Sequence, residues 1–333
     1  MTIESKMTSE SRTTGSELQA SAAGPNPSAS DLVRGISPVL EVPFTDGGDV
    51  DLDGFERVVQ YVLATGVSSV MFPGFASEFH KLSELERDTL TEILLRHTRD
   101  RPDVCAIVAV QDHATTLAVA RARSVIAAGA DMINLLPPHF LSPSRRALIE
   151  HVSAVLEAVA PAGVIMQYAP KETGTSLDAA TLRMIAAEST NLRMVKVESS
   201  PPGSLIHELA AGTPSLLAVE GYAGVQLPDA FRRGAVGSQP GCSFIEIYQE
   251  IWRRFADGDL AGGDALHRRL LPYISYWMLD TELIIAAEKE ISRRRGLFAS
   301  ARCREPAHRL DAEELSMIDR FMAEFTDFIS IGV

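Results

Sequence analysis

From Gly35 onward the chain repeats one pattern: a short run of apolar, often β-branched residues, then a longer stretch of helical period. The runs span residues 36–44, 69–73, 104–110 and 132–136, then 164–168, 193–197, 216–219 and 235–237. Runs that are apolar throughout, rather than alternating, are buried on both faces, which marks a parallel sheet. Eight strand–helix units close naturally on themselves, so the pattern predicts an α/β fold of the (β/α)8 TIM-barrel type. A doubly wound open sheet competes, but no GxGxxG follows the first run, and eight consecutive units exceed what one dinucleotide-binding domain needs. The spacers agree with the barrel. Leu52, Phe55, Val58, Val59 and Val62 fall on one helical face that ends at Gly66, and the alanine-rich stretch 116–128 closes at Gly129. After about residue 244 the strands stop, and 244–255, 262–288 and 312–328 read as helices. They predict a C-terminal helical appendage packed on the barrel or on a neighbouring subunit.

The expected organisation is therefore a tail over 1–30, a barrel over 31–243 and a helical region over 244–333. The tail is rich in Ser, Thr, Gly, Ala and Pro with almost no large apolar residues, a composition that predicts disorder. Across 333 residues the formal net charge is −13, and an acidic surface repels phosphate backbones, so no nucleic-acid partner is expected. A small anionic substrate stays compatible, because a pocket can be locally positive. Cys105, Cys242 and Cys303 are isolated in sequence, without a CxxC pair, and read as reduced thiols. No apolar run approaches a membrane span and no secretory h-region opens the chain, so the expectation is a cytoplasmic protein without a membrane partner. No His/Asp/Glu cluster has metal-ligand spacing, and no metal or other cofactor is expected.

Active-site residues of barrels come from the C-terminal ends of strands and the loops beyond them. The sixth run, RMVKVES, holds Lys196 among apolar residues, facing inward if Met194 does. A lysine there is either paired structurally with a carboxylate such as Glu198 or Glu41, or it is a desolvated amine. Desolvation favours the neutral amine, the form that attacks a carbonyl.

Around this lysine the chain resembles the dihydrodipicolinate synthase and N-acetylneuraminate lyase superfamily, the pyruvate-type class I aldolases. The resemblance covers about residues 33–330 and rests on motifs in order. They are GISPVLEVPFTDGGDVD from Gly35, GFASEF from Gly74, GADMINLLPPHFLSPS from Gly129, QYAP from Gln167, VKVES around Lys196, GAVGSQPG from Gly234, and Arg304 with Pro306. It implies that Lys196 forms a protonated imine with a 2-oxo acid. The imine then acts as an electron sink for carbon–carbon cleavage, aldol addition or loss of water. It further implies a homo-oligomer, a tetramer built as a dimer of dimers.

The resemblance assigns a proton-shuttling phenol to the QYAP segment. The family pattern, tyrosine-asparagine-x-proline, places Gln167 at that position, whereas Tyr168 stands 28 residues before Lys196, the usual separation. Tyr168 is the expected shuttle, with Gln167 beside the substrate. The loop that carries two threonines in the synthase reads Phe75 and Ala76 here, so carboxylate binding falls to Ser77 and backbone N–H groups around Ala76 and Glu78. The strand-four tyrosines appear as His139 and Phe140; His139 is either a proton carrier or a structural histidine. Glu198, Gly221 and Gln239 complete the expected substrate-binding set. Glu172 stands where the synthase has a carboxylate-gripping arginine, which argues against synthase activity. ASEF and KVE are closer to the branch acting on 2-keto-3-deoxy sugar acids, so the expected function is a Schiff-base dehydratase of such a small-molecule substrate. The alternatives are a pyruvate-releasing aldolase or hydratase-aldolase, and a catalytically silent barrel with a binding role.

Overall fold

The computed structural model describes residues 29–174 and 176–329; the expectation of disorder for the tail lies outside the described residues except at 29 and 30. Eight parallel strands run in the order β1-β8-β7-β6-β5-β4-β3-β2. They are β1 Gly35–Ile36, β2 Ser69–Phe72, β3 Cys105–Val110, β4 Met132–Leu135, β5 Gly163–Tyr168, β6 Leu192–Val197, β7 Leu217–Glu220 and β8 Gly237–Ser238. Val39 bridges to both Met71 and Gly241 and closes the circle, so the chain is a (β/α)8 barrel. The long apolar run 36–44 yields few ladder residues because Pro38 and Pro43 have no N–H to give. Their carbonyls still accept, from Met71 N and Asp51 N.

The helices form for legible reasons. In Leu52–Ala64 the Asp51 side chain accepts from Gly54 N at 2.8 Å, a cap worth about 1 kcal/mol, and Phe55, Val58, Val59 and Val62 are fully buried. Each such side chain contributes roughly 1.5–3 kcal/mol by leaving water. Thr115–Ala128 stops at Gly129, whose φ of 112° belongs to the left-handed region. Among the described residues no helix is long and apolar enough to cross a membrane.

The C-terminal region departs from its expected outline. The stretch read as one helix over 262–288 is two, Leu260–Trp277 and Thr281–Arg295, separated at Asp280, whose side chain caps the second. Pro272 is accommodated inside the first. Thr281, Ile284, Ile285 and Glu288 of Thr281–Arg295 line the same cavity as Lys196, so this helix packs at the C-terminal end of the strands. It is also unusually buried for its composition, with Glu288, Lys289, Ser292 and Arg295 all inside.

Candidate active site

In a parallel ladder, paired residues share a face, so register decides which side chains meet. Lys196 pairs with Gln167 on β5 and Val219 on β7; Asn134 on β4 pairs with Ile165, two residues before Gln167. Ile165, Met194 and Val219 fill the barrel interior beneath. Asn134, Gln167 and Lys196 therefore project inward at the C-terminal end of neighbouring strands, each nearly inaccessible.

They form a wired set. Asn134 Nδ2 donates to Gln167 Oε1 at 2.9 Å, and Gln167 Nε2 donates to Glu198 Oε2 at 2.7 Å. The other oxygen of Glu198, Oε1, lies 3.2 Å from Lys196 Nζ. Gly221 makes this possible: a Cβ there would sit 2.3 Å from Glu198 Cγ. Lys196 opens into a cavity of about 600 Å³, counting the part open to solvent. Its wall includes Ala76, Glu172, Glu198, Tyr222, Gln239 and Glu288.

One wall is held by strained backbone. Tyr222 and Ala223 have φ of 53° and 51°, costing on the order of 1–3 kcal/mol each. The Tyr248 hydroxyl holds the turn by donating to Ala223 O at 2.7 Å. The strain aims the Tyr222 hydroxyl at Glu172, donating to Oε1 at 2.7 Å, while Glu172 Oε2 is buried without a partner among the described residues. Burial raises the Glu172 carboxyl above its ordinary range despite that hydrogen bond. Glu288, from the Thr281–Arg295 helix, is pushed up to about 8 by burial and by the charge of Glu41.

Several expected residues stand elsewhere. Tyr168 pairs with Val197 and points outward into the helix-facing core, where its hydroxyl accepts from Leu177 N at 3.3 Å. The two-residue strand period sets this: if Gln167 faces Lys196, the next residue cannot. The Ser77 hydroxyl is committed to the loop, donating to Leu40 O and accepting from Gly74 N at 3.0 Å. Glu78 turns away from the cavity. Its carboxylate takes Lys289 on one oxygen, and Lys81 at 3.1 Å with Arg304 N at 3.0 Å on the other. His139 lies tilted against His113, ring centroids 4.5 Å apart, outside the cavity wall. Of the expected set, Lys196, Ala76, Gln167, Glu198, Gly221 and Gln239 come together. Tyr168, Ser77, Glu78 and His139 do not.

Asn134, Tyr222 and Glu288 were not anticipated. Asn134 had a signal, a lone amide in the apolar run MINL. Glu288 had none, because the backbone it packs against, at Gly241, is 47 positions away and its acidic neighbour Glu41 is farther still.

Comparison with known proteins agrees with the fold. The family model of the dihydrodipicolinate synthetase family matches residues 32–324. An L-2-keto-3-deoxyarabonate dehydratase from Azospirillum brasilense is 28% identical over 279 residues, 82% of this chain and 88% of that one. A 4-hydroxy-tetrahydrodipicolinate synthase from Methanothrix thermoacetophila is 29% identical over 260 residues, 76% and 84%. In fold, the dihydrodipicolinate synthase of Aquifex aeolicus superposes with a TM-score of 0.80 at 21% identity, covering 90% of this chain and 99% of that one. The chain belongs to the dihydrodipicolinate synthetase family, a family of aldolases and lyases.

Proposed function

We propose that this protein removes water from a 2-keto-3-deoxy sugar acid bound as an imine on Lys196. The observation that carries the reading is the company of Lys196. A carboxylate, Glu198, sits 3.2 Å from its amine, and an amide, Gln167, occupies the β5 position where the family places a phenol. Lys196 attacks the C2 ketone and water leaves, giving an iminium. Glu198, oriented by the Asn134–Gln167 relay, takes a C3 proton, and the electron pair forms an enamine. Collapse of the enamine expels the C4 hydroxyl. Glu172, whose carboxyl burial raises above its ordinary range and to which the Tyr222 hydroxyl donates, is placed to protonate that departing oxygen. Hydrolysis of the unsaturated iminium then frees Lys196. Backbone N–H groups at Phe75 and Ala76 replace the missing threonines in holding the C1 carboxylate.

The dehydratase relative supports this choice, while the synthase relatives fit less well with Glu172 on the cavity wall, because an acidic side chain offers a second carboxylate no counter-charge. The proposed assembly is a homo-oligomer, for which Phe140 and Leu141, 81% and 84% exposed beside His139, offer an apolar contact. Product analysis tests the reaction. Incubation with 2-keto-3-deoxy pentonates and hexonates should yield dehydrated 2-oxo acids and no pyruvate. Stoichiometric pyruvate would transfer the assignment to a retro-aldolase.

A further inference from the structure

Glu172, Glu198 and Lys196 carry the proposed reaction, while the part of the cavity wall at Gln239 and Glu288 has no role in it. That wall holds two polar groups with unmet hydrogen bonds. Gln239, on the chain leaving β8, is 3% exposed. Its Nε2 donates to Ser37 Oγ at 3.2 Å, and its Oε1 is buried with no partner among the described residues. Turning the amide over changes little, since Ser37 engages one end and the other stays free. A buried amide end without a partner is costly, so the site is built for a group that arrives.

The second group is Glu288, which is 4% exposed and on the same cavity wall. The described residues offer its carboxyl no hydrogen bond. Gly241 leaves room for it: a Cβ there would lie 1.9 Å from Glu288 Oε2, so this oxygen rests against the backbone two residues past Gln239. With its titration pushed up to about 8, the carboxyl carries its proton at neutral pH and donates. A free acceptor and a free donor lining one cavity match one group above others, a hydroxyl, which both donates and accepts.

Charge narrows the ligand further. Among the described residues, Lys196 is the one cation that lines the cavity, and imine formation uses it. Lys171 lies over the Tyr222 ring, 5.9 Å from its centroid, and does not line the cavity. Glu172, Glu198 and Glu288 contribute carboxyl groups. A terminal phosphate or second carboxylate would meet acids and no counter-charge.

We infer that Gln239 and Glu288 form a hydroxyl-reading subsite for the substrate chain beyond C4, selecting an unphosphorylated polyhydroxy 2-oxo acid with one carboxylate. This rests on the Schiff-base reading of Lys196. The test therefore uses a readout that does not depend on which bond later breaks: the concentration of each 2-oxo acid giving half-maximal borohydride trapping on the full chain. The ligands are pyruvate, a 2-keto-3-deoxypentonate, its analogue lacking the C5 hydroxyl, and a 6-phosphorylated 2-keto-3-deoxyhexonate.

For the unaltered protein the analogue should need a ~10-fold higher concentration than the pentonate, as expected for a site whose buried polar groups are left unpaired. The phosphorylated acid should need at least ~100-fold more. Glu288→Leu and Gln239→Leu should each bring pentonate and analogue within about 3-fold of one another while pyruvate is still trapped, which shows the variants fold. Glu288→Gln keeps an N–H donor and should retain the discrimination. Persistent discrimination in both leucine variants, or trapping of the phosphorylated acid as readily as the pentonate, overturns the subsite and leaves Lys196 intact. No adduct with any of the four overturns the lysine reading, and the subsite with it.

Discussion

Replacing Glu78 with glutamine separates a structural role from a substrate-binding one at a position where sequence pointed to substrate. The Glu78 carboxylate is fully buried between Lys289 and Lys81, whose side chains are 1% and 7% exposed, and it also accepts from Arg304 N. After Glu78→Gln, Lys81 keeps Glu282 at 2.6 Å. Lys289 keeps only the Arg302 carbonyl at 3.1 Å and the face of Phe44, 4.2 Å from its centroid. Removing one partner of a buried pair leaves an uncompensated charge, which costs about 3–5 kcal/mol. At roughly 2–4 °C per kcal/mol, somewhat less for a chain of this size, thermal unfolding followed by circular dichroism should move down by about 5–15 °C. Glu78→Leu with Lys289→Met removes both charges and should recover much of the loss, because matched apolar replacement of a buried pair is often neutral. An unfolding temperature within about 2 °C of the parent, together with a substrate KM raised ~10-fold, would refute this reasoning and return Glu78 to the substrate site.

Other outcomes follow from the same geometry. Gly221→Ala puts a methyl 2.3 Å from Glu198 Cγ, so Glu198 must swing off Lys196; kcat should fall at least ~10-fold with little change in unfolding temperature, and an unchanged kcat would argue against Glu198 as the base. Tyr168→Phe should leave kcat within about 2-fold, because the phenol faces away from the cavity, whereas Gln167→Leu breaks the relay to Glu198 and should cost ~10-fold or more; the reverse order would restore the phenol as proton shuttle. Burial raises Glu220 and Glu288 from 4.5 to about 8, and Glu41 to about 7. The folded state thus binds protons that the unfolded state releases, so this stability is complete below about pH 4.5 and is lost as pH rises through 7–8. Melting curves should shift down between about pH 4.5 and 8, less so in Glu288→Gln; an equal slope in parent and variant would contradict the assignment.

The barrel was legible because parallel strands buried on both faces leave continuous apolar runs, and such runs survive in sequence without knowledge of their neighbours. Lys196 was legible for the same reason: a charge inside an apolar run is conspicuous. The site around it was less so. Whether Gln167 or Tyr168 faces the lysine depends on a single residue of register, and both readings fit the sequence. The Ser77 hydroxyl was chosen for its chemistry, but the loop consumes it at Leu40 and Gly74, a contact no spacing reveals. The stretch AAEKEISRRR reads as a solvated helical surface, yet Glu288, Lys289 and Ser292 are buried by partners around Glu41, Glu78 and Gly241. Long-range pairing of that kind carries no local signal, so the sequence alone does not separate Thr281–Arg295 from the helix before it.

In the proposed function the Lys196 amine attacks a 2-oxo acid. Incubation with pyruvate, reduction with borohydride and peptide mass mapping test it directly. A single reduced-imine adduct is expected on the peptide holding Lys196, absent from Lys196→Ala. An unmodified protein, or an adduct on another lysine such as Lys171, would contradict it.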